Sequence, residues 1–241
     1  MAVNDYLLVM KEIFFLVLLV PTMIFSQTNY EKAEKLFAQG KYTAAKPIFE
    51  TALKESPNNL KTIEYLGDIA SNTNDWDKAA VYYEKLKTLK PNQADYYFKY
   101  GGALGMKAQT GGKWVAIGLI GDIRGSFEKA LILNPNHIEA RWAMIEYYLQ
   151  LPALVGGSEK KAQRYSNELL KISPVDYYLS KAHIDEYFKR YKSAEQYYIK
   201  AIQVGGSKLT YERLAELYRE KLNQPEKALQ VLQNYQDKNK S

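Results

Sequence analysis

The 241-residue chain contains no cysteine. That absence excludes disulfides, thiol nucleophiles, iron–sulfur clusters, cysteine-held zinc and a lipid anchor on an N-terminal cysteine. Histidine is nearly as scarce. His137 and His183 stand 46 residues apart and neither lies in H-E-x-x-H, so a histidine-rich metal site has no ligands to draw on. No G-x-S-x-G supports a serine-hydrolase elbow. Gly112-Lys113 lacks the earlier glycine and the following Ser or Thr of a phosphate-binding loop. Carboxylates one helical turn apart, such as Glu64 and Asp68, read as a solvent-facing stripe before they read as an acid–base pair. The expectation is therefore no catalytic set, no cofactor, no metal and no enzyme. What is plentiful is tyrosine, 21 residues, and positive charge, with 33 Lys and Arg against 27 Asp and Glu. A hydrophobic share of 46% beside 25% charged residues is a globular mix with ample material for a core.

One long apolar run is present. Ile13 to Phe25 follows Lys11 and leads to Ser26, the layout of a secretory signal peptide. A spanning helix needs ~20 residues, and this stretch is shorter. Asp5 and Glu12 are awkward in a positive leader, and Met10-Lys11 makes a cleaner start than Met1. The expectation is a signal peptide over 1–26, cut near Ser26-Gln27, and a periplasmic or secreted product. An uncleaved anchor is the other reading, and would be the chain's one route to a membrane. Cleavage leaves 32 basic and 25 acidic residues, a net charge of +7.

The rest of the chain repeats. Ala45 to Ala79 is 34 residues, as is Pro57 to Pro91. Within a unit an Ala is followed four residues on by an aromatic and eight further by Pro: Ala45, Phe49, Pro57, then Ala79, Tyr83, Pro91. Ile123, Phe127 and Pro135 keep the spacing, as do Ala162, Ser166 and Pro174, and Ala194, Tyr198 and Gly206, and Ala228 with Leu232 begins it again. Apolar residues recur at helical spacing and each segment stops at Pro-Asn, Pro-Val or Gly-Gly. Small residues in register, Gly67 with Ala79 and Ala33 with Ala45, predict close helix pairs. A lone pair cannot bury both faces, so the units must stack.

These residues resemble the tetratricopeptide repeat (TPR) family, whose pattern is W-x2-L-G-x2-Y, then A-x3-F, then P. Residues 60–93 fit best, through Ile63, Leu66, Gly67, Ala70, Ala79, Tyr83 and Pro91. The resemblance implies an all-α fold, a right-handed solenoid of about six helix pairs. The units are 27–59, 60–93, 94–137, 138–176, 177–206 and 207–241. Two depart from the period. Pro91 to Pro135 is 44 residues, and Trp114 to Ile120 is an apolar stretch after Gly111-Gly112. It reads as an early start to a helix, with Gly118, Gly121 and Gly125 as close-packing positions and its tip folded back as core. The other reading is a contact surface carried by Trp114, Ile117 and Ile120. Pro135 to Pro174 is 39 residues, with Gly156-Gly157-Ser158 read as a loop that needs positive φ and then an N-cap.

The resemblance also implies that first helices line a concave groove. The positions it points inward include Glu64, Asp68, Asp95, Phe98, Glu139, Trp142, Glu146, His183, Glu186, Glu212 and Glu216. Over the whole inward set acids outnumber bases ten to two, although the chain is basic. The surplus lysines fall on second helices, among them Lys78, Lys85, Lys160 and Lys161. The Lys and Asn set with which some family members clamp a peptide's terminal carboxylate is missing. The function expected is a non-enzymatic protein–protein interaction scaffold of the bacterial envelope. Its partner is a protein or peptide segment, basic and apolar, held in the groove. The competing readings are acids that merely solubilise first helices, and a binder of nucleic acid or anionic surfaces through the basic convex face.

Overall fold

The computed structural model describes residues 29–238. The leader expected over 1–26 lies outside the described residues. Twelve helices and no strand occur among those described. In chain order they are α1 (29–38), α2 (Tyr42–Glu55), α3 (Leu60–Asn72), α4 (Trp76–Leu89), α5 (Ala94–Thr110), α6 (Lys113–Leu133), α7 (Ile138–Gln150), α8 (Glu159–Leu169), α9 (Pro174–Tyr187), α10 (Tyr191–Gly205), α11 (Lys208–Glu216) and α12 (Pro225–Lys238). They form two compact units, one up to Leu119 and one from Ile120, the division falling inside α6.

The period is visible in the backbone. Gly40 and Asn74 adopt positive φ in the turn between the helices of their pairs, 34 residues apart. Lys189 and Asn223 do the same in later pairs, again 34 apart. Helix starts carry side-chain caps. Asn59 accepts from the Thr62 amide and Asp75 from that of Lys78. Each satisfies an amide that the first turn leaves without a helical partner.

In the first unit, Ala33, Ala45, Phe49, Leu66 and Ile69 form one buried cluster. Phe49 stacks on Tyr65 with ring centroids 4.6 Å apart. The expected close approach at Gly67 is real. A Cβ there would stand 2.6 Å from Tyr83 Cε1 and 3.3 Å from Tyr82 Cβ. Glycine thus makes room for the aromatic of the next helix. In the second unit, Leu179, Ala182, Ala194, Tyr198, Ala201, Leu214 and Leu217 form the core of α9–α12. Gly205 plays a part like that of Gly67, with Val175 Cγ2 2.6 Å from the place of its missing Cβ.

Three local expectations change. The ten extra residues do start a helix early: α5 has 17 residues and α6 has 21. The apolar tip does not fold back as core. Trp114 is 83% exposed and Ile117 45%. A Cβ at Gly118, Gly121 or Gly125 would meet nothing within 4 Å, so these are not close-packing positions. The boundary placed between 176 and 177 falls within α9, where Pro174 opens the helix and Ser173 caps it. Proline is suited to that first turn, since its missing N–H would have no helical partner there. The loop before α8 is as expected: Gly156 has φ +109° and Ser158 accepts from the Lys161 amide at 3.3 Å.

Candidate functional site

In the second unit α7, α9 and α11 each turn one face toward a shared pocket of about 450 Å³. Trp142 and Glu146 come from α7, one helical turn apart. From α9 come Asp176, Leu179, His183 and Glu186, at the three- and four-residue steps that keep side chains on one face. Leu209, Arg213 and Glu216 of α11 and Tyr198 of α10 complete the lining. Four carboxylates face one guanidinium and one imidazole there.

Each polar group is held in place. Trp142 Nε1 donates to Asp176 Oδ1 at 2.8 Å, and the Ser173 hydroxyl donates to the other oxygen at 2.6 Å. That fixes the indole plane across the pocket wall. His183 Nε2 lies 2.5 Å from Glu146 Oε1, with its ring centroid 6.0 Å from that of Trp142. Burial alone would raise the Glu146 carboxyl, but the contact and charge of His183 carry it below its ordinary value. Tyr198 donates to Glu186 Oε2 at 2.9 Å. Burial, and then the charge of Glu186, push the Tyr198 hydroxyl far above the ordinary phenol range, so it remains a donor. Trp142, Leu179 and Leu209 supply apolar surface between these groups.

The expected site residues divide by this geometry. Trp142, Glu146, His183, Glu186 and Glu216 meet at the pocket. Glu139 and Glu212 do not line it. Glu139 is exposed beside His137, and Glu212 pairs with Lys208 of its own helix at 3.2 Å. Within the first unit Asp95 is exposed and accepts from Gln93 at 3.3 Å, and Phe98 is half-buried. Glu64 and Asp68 lie together but already share one ammonium. Lys99 Nζ reaches Glu64 at 2.6 Å and Asp68 at 2.8 and 3.0 Å, and Tyr83 donates to Asp68 at 2.8 Å. Burial would lower the Lys99 ammonium, yet its bonds to Asp68 and Glu64 raise it overall, so it stays charged. Trp114 and Ile117 are exposed, while Ile120 is half-buried and its carbonyl accepts from Tyr147 at 3.3 Å.

Sequence reasoning passed over Lys99, Arg213 and Tyr198. The first two occupy the sixth position of their helices, which the inward set leaves out. The third sits in the aromatic slot of A-x3-F, where the choice of Tyr over Phe was the available signal. Several of the lysines expected on a basic face are already engaged. Lys78 pairs with Asp75 at 2.6 Å, and Lys85 donates to the Pro57 carbonyl at 2.6 Å. Among the described residues there is no cluster of three or more metal-ligating side chains, and no helix is long and apolar enough to cross a membrane.

Residues 36–98 match the family model for the tetratricopeptide repeat. These are tetratricopeptide repeats. The fold of the chain is that of TPR solenoid proteins. It is similar to a thermophilic TPR protein of Thermus thermophilus, at 21% identity and TM-score 0.62, covering 80% of this chain and 98% of that one. A TPR protein of Parabacteroides merdae is similar at 17% identity and TM-score 0.60, over 87% of this chain and 78% of that one. YrrB, described as a TPR protein with an unusual peptide-binding site, is similar at 16% identity and TM-score 0.51, over 76% of this chain and 87% of that one. No curated protein sequence matches the chain.

Proposed function

We propose that this TPR protein is a non-enzymatic scaffold that holds an extended partner segment, basic and apolar in character, on the first-helix face of its second unit. One observation carries the reading: four carboxylates, one guanidinium and three apolar side chains converge on a single pocket from α7, α9 and α11. Helix-pair repeats suit this work because stacked first helices make a continuous surface. Charge complementarity then selects the segment and speeds the encounter. YrrB, described by its peptide-binding site, is a precedent at the level of fold. Export to the envelope is part of the same proposal and rests on the apolar stretch Ile13 to Phe25.

The test is a pull-down with the protein lacking residues 1–26, beside a Trp142→Ala/Glu146→Lys variant whose helicity is checked first. Partners lost with the variant support the pocket. Partners retained in full would move recognition to the Trp114 tip or to the lysine-bearing second helices, and the reading would fall. For export, the full chain is expressed in a bacterium and its mass measured in the envelope fraction. An uncut cytoplasmic product would count against it.

A further inference from the structure

The first unit shows how this chain holds a cation of its own. Lys99, the sixth residue of α5, crosses to Glu64 and Asp68 of α3 and lies 5.7 Å from the ring centroid of Tyr83. Tyr83 in turn donates to Asp68. Two carboxylates of one first helix, a tyrosine from the second helix and an ammonium from the next first helix close the gap between stacked repeats.

The second unit builds a related site from other positions: counted back from Tyr198 as Glu64 and Asp68 are from Tyr83, α9 carries Leu179 and His183, and the acids are Glu186 of α9 and Glu146 of α7. Tyr198 holds the slot of Tyr83 and donates to Glu186 of α9. Arg213 is the sixth residue of α11, as Lys99 is of α5. Arg213, however, pairs with Glu216 of its own helix at 3.2 Å. The space beside Glu186 is the open pocket, walled by Trp142 and Leu179, with Glu146 at its side held by His183 Nε2 at 2.5 Å. Its volume, about 450 Å³, lies in the range of small-ligand sites, ~300–1,000 Å³.

We propose that this pocket receives a single lysine side chain of the partner segment. Its ammonium faces Glu186 and Glu146 beside the Tyr198 hydroxyl, and its methylene stem lies along Trp142 and Leu179. A desolvated ammonium near an indole face gains from both the carboxylates and the ring. The first unit takes no such side chain, because Lys99 already lies across its two acids, Glu64 and Asp68. The inference rests on the groove reading of the preceding subsection and adds its anchor residue.

The test uses isotopically labelled protein lacking residues 1–26 at pH 8. Three blocked seven-residue Leu/Ala peptides differ only at the centre: lysine, its uncharged isostere norleucine, or glutamate. The Trp142 indole N–H signal reports the pocket. The lysine peptide is expected to bind about tenfold tighter than the norleucine peptide, and the glutamate peptide weakest. Glu186→Gln keeps an acceptor for Tyr198 and should bring lysine down to the norleucine level. Glu146→Gln should act the same way, and Arg213→Ala should tighten lysine. Lys99→Ala should open a second lysine-dependent site, seen at Tyr83. Equal binding of lysine and norleucine, or no effect of either Gln variant, overturns the inference while leaving an apolar groove in place. If no peptide shifts the Trp142 signal, the groove reading falls and this inference with it.

Discussion

Gly67→Ala should destabilise the first unit, although alanine is the better helix former. The position is in the interior of α3, where Gly to Ala ordinarily gains ~0.5–1 kcal/mol. Here the added methyl would meet Tyr83 Cε1 at 2.6 Å and Cδ1 at 3.0 Å. The ring cannot turn away freely. It is 4% exposed, and its hydroxyl is tied to Asp68 at 2.8 Å. Overpacking a filled site costs ~1–3 kcal/mol, and displacing a hydroxyl from a carboxylate costs ~1–3 kcal/mol more where the bond is lost. The expected balance is a loss of ~1–3 kcal/mol. At ~2–4 °C per kcal/mol for a chain of this length, apparent Tm should fall by roughly 2–12 °C. Gly118→Ala is the control. It is also helical, but nothing lies within 4 Å of its Cβ, so the propensity gain is uncompensated and Tm should rise. Thermal scans by far-UV circular dichroism at one scan rate compare the three proteins. The reasoning is refuted if Gly67→Ala melts at or above the parent, or if both variants shift in the same direction.

Four further outcomes follow from the same structure. Lys189 sits at φ +59°, which costs a non-glycine residue ~1 kcal/mol, so Lys189→Gly should raise stability by ~0.5–1 kcal/mol in urea unfolding, and a loss would contradict the αL assignment. Tyr83→Phe keeps the ring against Gly67 and removes the bond to Asp68, with an expected loss of ~1–2 kcal/mol in the same assay. Ser158→Ala removes the cap of α8 and should cost about 1 kcal/mol. For Glu146 the folded carboxyl titrates below its ordinary 4.5, so its stabilising contribution is present above that value and disappears as pH falls through the lowered one. Urea midpoints of the parent and Glu146→Gln should therefore differ at neutral pH and converge in acid. A gap that widens in acid would reverse the sign and sink the argument.

The repeat is legible because it is written in small and aromatic residues at fixed steps. Ala45, Phe49 and Pro57 against Ala79, Tyr83 and Pro91 determine where helices start, stop and approach, since only small side chains fit the crossings and proline cannot continue a helix. The same register brings Trp142, Glu146, His183 and Glu186 onto facing surfaces, and these do meet. The Trp114 segment reads wrongly as core because an apolar sequence says nothing of whether a neighbour reaches it. The glycines at 118, 121 and 125 look like close-packing positions in one dimension and face open space in three.

Local chemistry thus decided the helices, their pairing and the side each residue faces, because those depend on steps of three, four and 34 residues along one chain. Charge balance at the site was decided only by the tertiary structure. Glu64 and Asp68 look as available as Glu186 until Lys99, more than 30 residues away, is seen lying across them. Whether an acid is neutralised within the chain or left facing a pocket depends on where a long, flexible side chain from another helix comes to rest, and no spacing rule encodes that.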